Sequence, residues 1–298
     1  MVQETTYKFP SSLNTSLGTY RFFVKFSIFL NTVDCKHLIL DMSKVSFIAS
    51  NQFAVLGCLL ESYLDAHPEA RVSLQAVPDP IIEMIRKNGF HSHFATLDPL
   101  PDKHNTVIPY KVFNVRNIKE YEAYLTIKLF NRDDLPVMSS PYRHMIQDYL
   151  LEVFKNVGDH TSSSKVFTCG QFFPKSKLLH FTVVDSGETI PYNVTNYSRL
   201  NSKPVPSNIL EWALQEGTTT ITEKAPRGVG LFLIHDFIRN NHGELYIISG
   251  NESYVLSNRG EKYIQLDQHF PGTIVTSVFN LNDKTTYGLN INDTEILF

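Results

Sequence analysis

The stretch Glu152-Val-Phe-Lys-Asn156-Val-Gly-Asp-His160 is the first of three short motifs in the C-terminal half of this chain. The other two are Val184-Asp185-Ser-Gly187 and Arg227-Gly228-Val-Gly230-Leu231. Asp185 lies 29 residues after Asn156, and Gly228 lies 43 residues after Asp185. Each motif alone is weak evidence for a function. Their order and spacing together predict one binding site assembled from three parts of the chain.

The first motif is predicted to lie on a helix that begins at Ser140-Pro141, a capping hydroxyl followed by proline at the first helical position. Apolar residues spaced by three and four form one stripe, and polar residues spaced by four form another: Ile146, Leu150, Val153 and Val157, then Asp148, Glu152 and Asn156. Mg²⁺ takes oxygen ligands together with substrate phosphates. An Asn carbonyl can supply one ligand, and a Glu one turn away can act as a base. A solvated helix face would give the same polar stripe.

The second motif ends an apolar strand predicted at 178–184. An Asp beside Gly at a strand end is often only a turn. In a nucleotide site the same carboxylate can accept a hydrogen bond from the adenine amino group.

The third motif opens a helix with Gly228 and Gly230, and Gly243 closes that helix. Glycine lets phosphate oxygens approach the backbone, and the first N–H groups of a helix bind anions. The motif is neither a Walker A loop nor a dinucleotide fingerprint. The preceding residues 190–226 are rich in Pro, Ser, Thr and Asn and are predicted to form a mobile lid over the site.

These motifs resemble those of the GHKL family of histidine-kinase-like ATPases and kinases, and within it the anti-sigma-factor serine kinases and related bacterial regulators. The resemblance covers roughly residues 112–281. It implies that Asn156 ligates Mg²⁺, that Glu152 is the catalytic general base, and that Asp185 recognises the adenine of ATP. The other residues it implies in nucleotide binding are Gly187, Gly228, Gly230, Leu231 and Thr273, the last of which follows Gly272 in the family's closing Gly-Thr pair.

The chain is long enough for one large domain or two ordinary ones, and the alternation of strands and helices predicts an α/β protein, here divided into two domains. The first third is predicted as strand 20–30, strand 37–41, helix 52–63, strand 71–76 and helix 81–87. A proline-containing linker is expected at 91–111, which divides the chain into domains 1–110 and 111–298. The second domain is expected to be an α/β sandwich, a mixed sheet backed by helices, with four strands near its end at 245–248, 254–257, 263–266 and 273–281.

The N-terminal segment resembles the STAS domain of anti-anti-sigma factors through Leu40-Asp41-Met-Ser-Lys-Val-Ser-Phe47-Ile48-Ala49-Ser50. In that family an Asp-Ser pair precedes a helix, and its serine accepts phosphate. Here Ala49 stands where the family has Asp, and Gln52 replaces the Gly that usually follows. These departures favour a simpler role for Ser50 as the cap of the next helix.

Four histidines are not assigned to the site. His160 is predicted to orient the end of its helix, and His235, followed by Asp236 like a phosphoacceptor pair, falls inside the third motif's helix. His91 and His93 have no Cys or carboxylate at metal-ligand spacing.

Composition limits the partners. Hydrophobic residues make up 42% and charged residues 19% of the chain, and the net charge is −3. This balance gives no electrostatic basis for binding nucleic acid or an anionic membrane, and we expect neither partner. Three scattered cysteines, Cys35, Cys58 and Cys169, predict a reducing compartment without a disulfide framework. The apolar run 21–30 is too short to span a bilayer, and no signal peptide is expected, which predicts a cytoplasmic protein.

Two functions remain open. A classical histidine kinase is rejected because the segment before Ser140 is strand-like and proline-broken. In the first reading, binding or slow hydrolysis of Mg-ATP closes a lid and switches an interaction with a regulatory protein. In the second, the protein is a serine/threonine kinase that acts on a STAS domain, its own or a partner's. The substitution at Ala49 favours the first.

Overall fold

The computed structural model describes residues 2–94, 97–160, 163–218 and 230–287. Its N-terminal unit, residues 2–94, alternates strands with helices. The elements are β1 (Val2–Lys8), β2 (Ser12–Leu13), α1 (Leu17–Thr32), β3 (Cys35–Asp41), β4 (Phe47–Ile48), α2 (Gln52–Ala66), β5 (Arg71–Gln75), α3 (Asp79–Asn88) and α4 (His91–Phe94). Strands β1, β3 and β5 form a parallel sheet with β3 in the middle, and β2 pairs with β4 separately.

The segment predicted as strand 20–30 is helical, so that prediction is wrong. Its aromatic composition favours a strand. Its buried residues, however, recur at helical spacing: Tyr20, Phe23, Val24, Ser27 and Leu30. The hydroxyl of Ser16 begins α1 by accepting a hydrogen bond from the N–H of Thr19 at 3.3 Å. The helical spacing of the buried residues therefore outweighs the strand preference of the individual residues.

The C-terminal unit is built on one five-stranded sheet. Its elements are β6 (Val107–Asn114), α5 (Ile118–Leu125), a π-helix (Thr126–Phe130), α6 (Ser140–His160), β7 (Lys165–Phe173), β8 (Leu178–Asp185), α7 (Ile190–Leu200), α8 (Ile209–Ala213), α9 (Gly230–Asn240), β9 (Glu244–Ser257) and β10 (Gly260–Asn280). The strand order is β6-β7-β8-β10-β9. The segment before Ser140 was predicted to be strand-like, and this is wrong over 118–130, which is helical.

Every strand pair of this sheet is antiparallel, so the expected mixed sheet is corrected. Short turns join β7 to β8 and β9 to β10, and such turns allow only antiparallel pairing. The four strands predicted near the end of the chain merge into the two long strands β9 and β10. The expected domain boundary between residues 110 and 111 falls inside β6, which pairs with β7 from Val107 onwards.

The two faces of the five-stranded sheet carry separate apolar cores. Alternate residues such as Phe181, Val183 and Val275 pack with α5, α6 and α9. Residues of the opposite face, including Val184 and Ile274, join the core of the N-terminal unit. There α2 packs against β7 and β8, and α1 packs against β9 and β10. The sheet is therefore covered on both faces, once by its own helices and once by helices of the N-terminal unit.

The contact between the two units is close and partly polar. A Cβ added at Gly57 of α2 would lie 2.2 Å from the hydroxyl of Tyr110, so the phenol of Tyr110 occupies the space that a side chain would need. Buried hydroxyl and amide groups also cross this contact: Tyr20 donates to Thr276 at 2.7 Å, Thr276 and Thr182 share a hydrogen bond of 2.7 Å, and Asn51 donates to Thr182 at 3.0 Å. The hydroxyl and amide groups of these four residues are therefore paired across the contact, whereas among the described residues the hydroxyl of Tyr110 has no hydrogen-bond partner.

Candidate functional site

A row of three polar side chains crosses one end of the five-stranded sheet. Asp185 ends β8, Thr273 lies opposite it on β10, and Ser249 lies opposite Thr273 on β9. Residues directly opposite in antiparallel strands share a face and lie about 4.5–5.5 Å apart. Two residues along each strand, Val183 and Val275 belong to the core beneath α6 and α9. The row therefore lies on the face of the sheet that these two helices cover.

The carboxyl group of Asp185 is buried, with 4% of the residue exposed. Its Oδ1 accepts a hydrogen bond from the N–H of Gly187 at 2.8 Å. The pKa of Asp185 is raised to about 7, chiefly by burial; the N–H of Gly187 opposes this shift and nearby Glu188 adds to it. A buried carboxyl with a raised pKa costs stability, and such groups are found often at functional sites.

Gly272 fits directly against the backbone of Asp185. Its φ is +140°, and a Cβ at this position would lie 2.0 Å from the carbonyl oxygen of Asp185 and 2.8 Å from the Cα of Ser186. Only glycine can adopt this conformation at this distance. The Gly-Thr pair noted in the sequence is thus adjacent to Asp185 in space, although 87 residues separate Gly272 from Asp185 in the chain.

Helix α6 carries Glu152 and Asn156, both half-buried, towards the same end of the sheet. Near its C-terminus, Gly158 lies against Val115, which directly follows β6. The register of the sheet places this end of β6 beside the start of β7, and the start of β7 beside Val184. Asn156 is one turn nearer the end of α6 than Glu152.

The helix begins at Ser140, but the capping hydroxyl is that of Ser139, one residue earlier than predicted.

Helix α9 is oriented with its N-terminus towards Asp185. At its other end, Asn241 donates a hydrogen bond to the carbonyl oxygen of Asn280 at 3.0 Å. Asn280 pairs with Leu178, at the end of β8 opposite to Asp185. Gly230 is the first residue of α9, and the half-buried Leu231 packs on the core beneath the helix. The first N–H groups of α9 and the positive end of its dipole therefore face the Asp185 end of the sheet.

The structure thus brings Asp185, Gly187 and Thr273 together and places the helices of Glu152, Asn156 and Leu231 over the same end of the sheet. Gly228 and the side chain of His160 lie outside the described residues. The N–H of Leu210 in α8 donates to Glu252 at 3.2 Å, so part of the predicted lid is held to β9. Residues 219–226 of the lid are likewise outside the described part.

Two residues that the sequence singled out are buried in structural contacts. Ser50 is fully buried; its hydroxyl lies 3.2 Å from the donating amide of Asn88 and 3.3 Å from the sulfur of Cys169. It does not cap α2, so the predicted capping role is wrong. The imidazole Nε2 of His235 is hydrogen-bonded to the hydroxyl of Tyr254 at 2.7 Å, and burial lowers the pKa of His235.

Sequence reasoning missed Ser249 and Thr189. Ser249 is fully buried and is bonded to Thr273 and to the start of α7, and Thr189 caps that helix by accepting from the N–H of Tyr192 at 3.2 Å. The pairing of β9 with β10 would have identified Ser249, since it follows from the register once Thr273 is assigned. Nothing in the local sequence around Ser249 marks it.

No described helix has the length and apolar character needed to cross a membrane. No protein-family model and no curated protein sequence matches this chain.

Proposed function

We propose that this protein binds Mg-ATP at the Asp185 end of the five-stranded sheet, and that binding or slow hydrolysis switches its interaction with a regulatory protein. The observation that carries the proposal is the buried Asp185 carboxyl beside Thr273, with Gly272 packed against its backbone. A carboxyl with a pKa raised to about 7 is costly to retain at a purely structural position.

In this proposal Asp185 accepts a hydrogen bond from the adenine amino group, and Thr273 contributes a hydroxyl beside it. Gly187 leaves room for the ring to approach the backbone, and Gly272 holds Thr273 close by packing against the backbone of Asp185. Guanine carries a carbonyl oxygen where adenine carries its amino group, and would place an acceptor against the carboxylate. An unpaired buried polar group costs roughly 1–3 kcal/mol, so we expect ATP to bind about 5–150-fold more tightly than GTP.

The phosphate end is assigned to α6 and α9. The Asn156 carbonyl and Glu152 carboxylate are oxygen donors one helical turn apart, which suits Mg²⁺ because that ion keeps waters and takes few protein ligands. Bound Mg²⁺ would supply charge neutralisation at the phosphates. The N–H groups at the start of α9, together with the backbone at Gly228, Gly230 and Leu231, bind phosphate oxygens. Glu152 takes the proton from the attacking water if ATP is hydrolysed.

The alternative is a serine/threonine kinase that acts on a STAS-domain protein. Ser50 of this chain is an unsuitable acceptor in the described arrangement, because it is fully buried and its N–H donates to Gln171 of β7 at 2.6 Å. The kinase alternative therefore requires an acceptor on another protein, and the burial of Ser50 favours the switch.

Calorimetric titration tests the proposal directly. Mg-ATP and Mg-ADP are expected to bind the full chain, with Mg-GTP weaker by the factor given above. Asn156→Ala should weaken Mg-ATP more than metal-free ATP, and Asp148→Ala, an exposed change on the same helix, is the matched control. Absence of ATP binding by the wild type would contradict the proposal.

If the protein turns over ATP, Glu152→Ala should lower the rate about a hundredfold or more while leaving affinity within about twofold, because a general base acts in the chemical step. Phosphate release measured at saturating Mg-ATP checks this, with Asp148→Ala again as control. Equal rates for the wild type and Glu152→Ala would refute the assignment of the base.

Switch and kinase are separated by incubation with γ-labelled ATP. Label that remains in free phosphate or intact ATP supports the switch. Label on a serine or threonine of a STAS-domain protein supports the kinase.

A further inference from the structure

We infer that Ser249 is a positioning residue that sets the proton direction of Thr273 and holds the turn after Asp185. The inference rests on the proposed ATP site and adds to it a residue that does not itself touch the nucleotide. Ser249 is fully buried on the edge strand β9, two strands away from Asp185.

The hydroxyl of Ser249 has three neighbours. It accepts a hydrogen bond from the N–H of Ile190 at 2.8 Å, it lies 2.8 Å from the hydroxyl of Thr273, and it lies 3.4 Å from the carbonyl oxygen of Gly272. A serine hydroxyl has one proton to donate and two lone pairs with which to accept. Ile190 takes one lone pair, so the remaining proton and lone pair are shared between Thr273 and Gly272.

Two arrangements satisfy this count. If Ser249 donates to the carbonyl of Gly272, Thr273 donates to Ser249 and presents only lone pairs to a ligand. If Ser249 donates to Thr273, the proton of Thr273 is free to be donated to a ring nitrogen of the base. The Thr273 contact of 2.8 Å is present in both arrangements, but the 3.4 Å contact with Gly272 is long for an O–H···O hydrogen bond, and this favours the second arrangement. Thr273 is then a directed donor beside the Asp185 acceptor.

The bond to Ile190 gives Ser249 a second effect. Ile190 is the first residue of α7 and lies five residues after Asp185, so Ser249 fixes the far end of the turn that begins at Asp185. The near end is fixed by the close packing of Gly272 on the Asp185 carbonyl. The hydroxyl of Ser249 therefore links Asp185 and Thr273, the two residues proposed to bind the base, to the start of the predicted lid.

Ser277 offers a matched control for an ordinary buried serine. It lies on β10 of the same sheet and is 1% exposed, and among the described residues its hydroxyl has no hydrogen-bond partner. Loss of a hydroxyl at Ser277 removes no bond, whereas the same change at Ser249 removes the bonds to Thr273 and Ile190.

The experiment measures the preference for ATP over GTP in the full-length protein carrying Ser249→Ala, Ser249→Thr or Ser277→Ala. We expect Ser249→Ala to reduce the preference about fivefold, the effect of one lost hydrogen bond. Ser249→Thr keeps a hydroxyl and should restore most of the preference, and Ser277→Ala should leave it unchanged. The fluorescence of Trp212, the single tryptophan, should respond less to ATP in Ser249→Ala than in the wild type.

A loss of thermal stability alone, with the ATP preference and the Trp212 response unchanged, would overturn the inference and leave Ser249 a structural residue. If Ser249→Ala does not fold, Thr273→Val removes the other hydroxyl of the pair, and an unchanged preference in that variant overturns the inference equally. Failure of the wild type to bind ATP would instead contradict the proposed function, and the inference with it.

Discussion

Replacing Gly272 with alanine should leave little folded protein. The added Cβ would meet the carbonyl oxygen of Asp185 at 2.0 Å and the Cα of Ser186 at 2.8 Å, both backbone atoms that cannot rotate away. The φ of +140° adds strain of about 1–3 kcal/mol for any side chain. We expect a total loss of more than about 4 kcal/mol, which is exceptional for one substitution. Urea unfolding followed by circular dichroism measures it.

Gly260→Ala measures the cost of the positive φ without a steric clash of the added Cβ. Gly260 also has a positive φ, +92°, at the start of the same strand, but nothing lies within 4 Å of the added Cβ. This variant should lose only the conformational part, about 1–3 kcal/mol. Similar losses for the two variants would show that Gly272 does not pack against Asp185 as described.

Asp185→Asn should weaken nucleotide binding and at the same time stabilise the nucleotide-free protein. Burial raises the pKa of Asp185 from 3.8 to about 7 in the folded state. Below about pH 4 the carboxyl of Asp185 is protonated in both the folded and the unfolded state, so its raised pKa does not change the free energy of unfolding. Between pH 4 and 7 the unfolded chain ionises first, so the folded state loses stability that it had at low pH. The difference between a pKa of 3.8 and a pKa of about 7 corresponds to a loss of folding free energy on the order of 4 kcal/mol.

Asparagine does not titrate, and it retains the oxygen that accepts from Gly187. The stability of Asp185→Asn relative to the wild type should therefore grow as the pH rises from 4 to 7. Its amide would turn a donor towards the adenine amino group, and ATP affinity should fall by about 1–3 kcal/mol. Urea unfolding at pH 4.5 and 8, with calorimetry at pH 8, measures both effects, and the exposed Asp148→Asn is the control. A variant with wild-type ATP affinity would remove Asp185 from the site.

The parts of the fold that the sequence predicted are those with local signals. Helix α2 and strand β8 have uniform apolar patterns, and Gly89 closes α3 with a φ of +81°. Helix α1 was predicted as a strand over 20–30 because its aromatic residues favour a strand and their burial pattern is known only from the structure. The partners of Ser50 in β7 and α3 could not be predicted, since residue 171 is 121 positions away and nothing local specifies it.

The same distinction holds for the candidate site. The family resemblance predicted that Asp185 and Thr273 belong to one site, and the register of β8 and β10 places these two residues opposite each other. Ser249 could not be predicted from the sequence, because its contact with Thr273 depends on how β9 and β10 pair in the folded chain. The covering of the second sheet face was equally unpredictable, since it follows from a contact between two units rather than from either alone.

The packing of Tyr110 against Gly57 limits which substitutions this chain can accept during evolution. A phenol filling the space of a missing side chain couples position 57 to position 110, and a change at one selects for a compensating change at the other. Recombination that joined the C-terminal half to a foreign N-terminal partner would have to bring a matching glycine with it. The two halves are therefore expected to be inherited as a pair, with positions 57 and 110 varying together among any descendants.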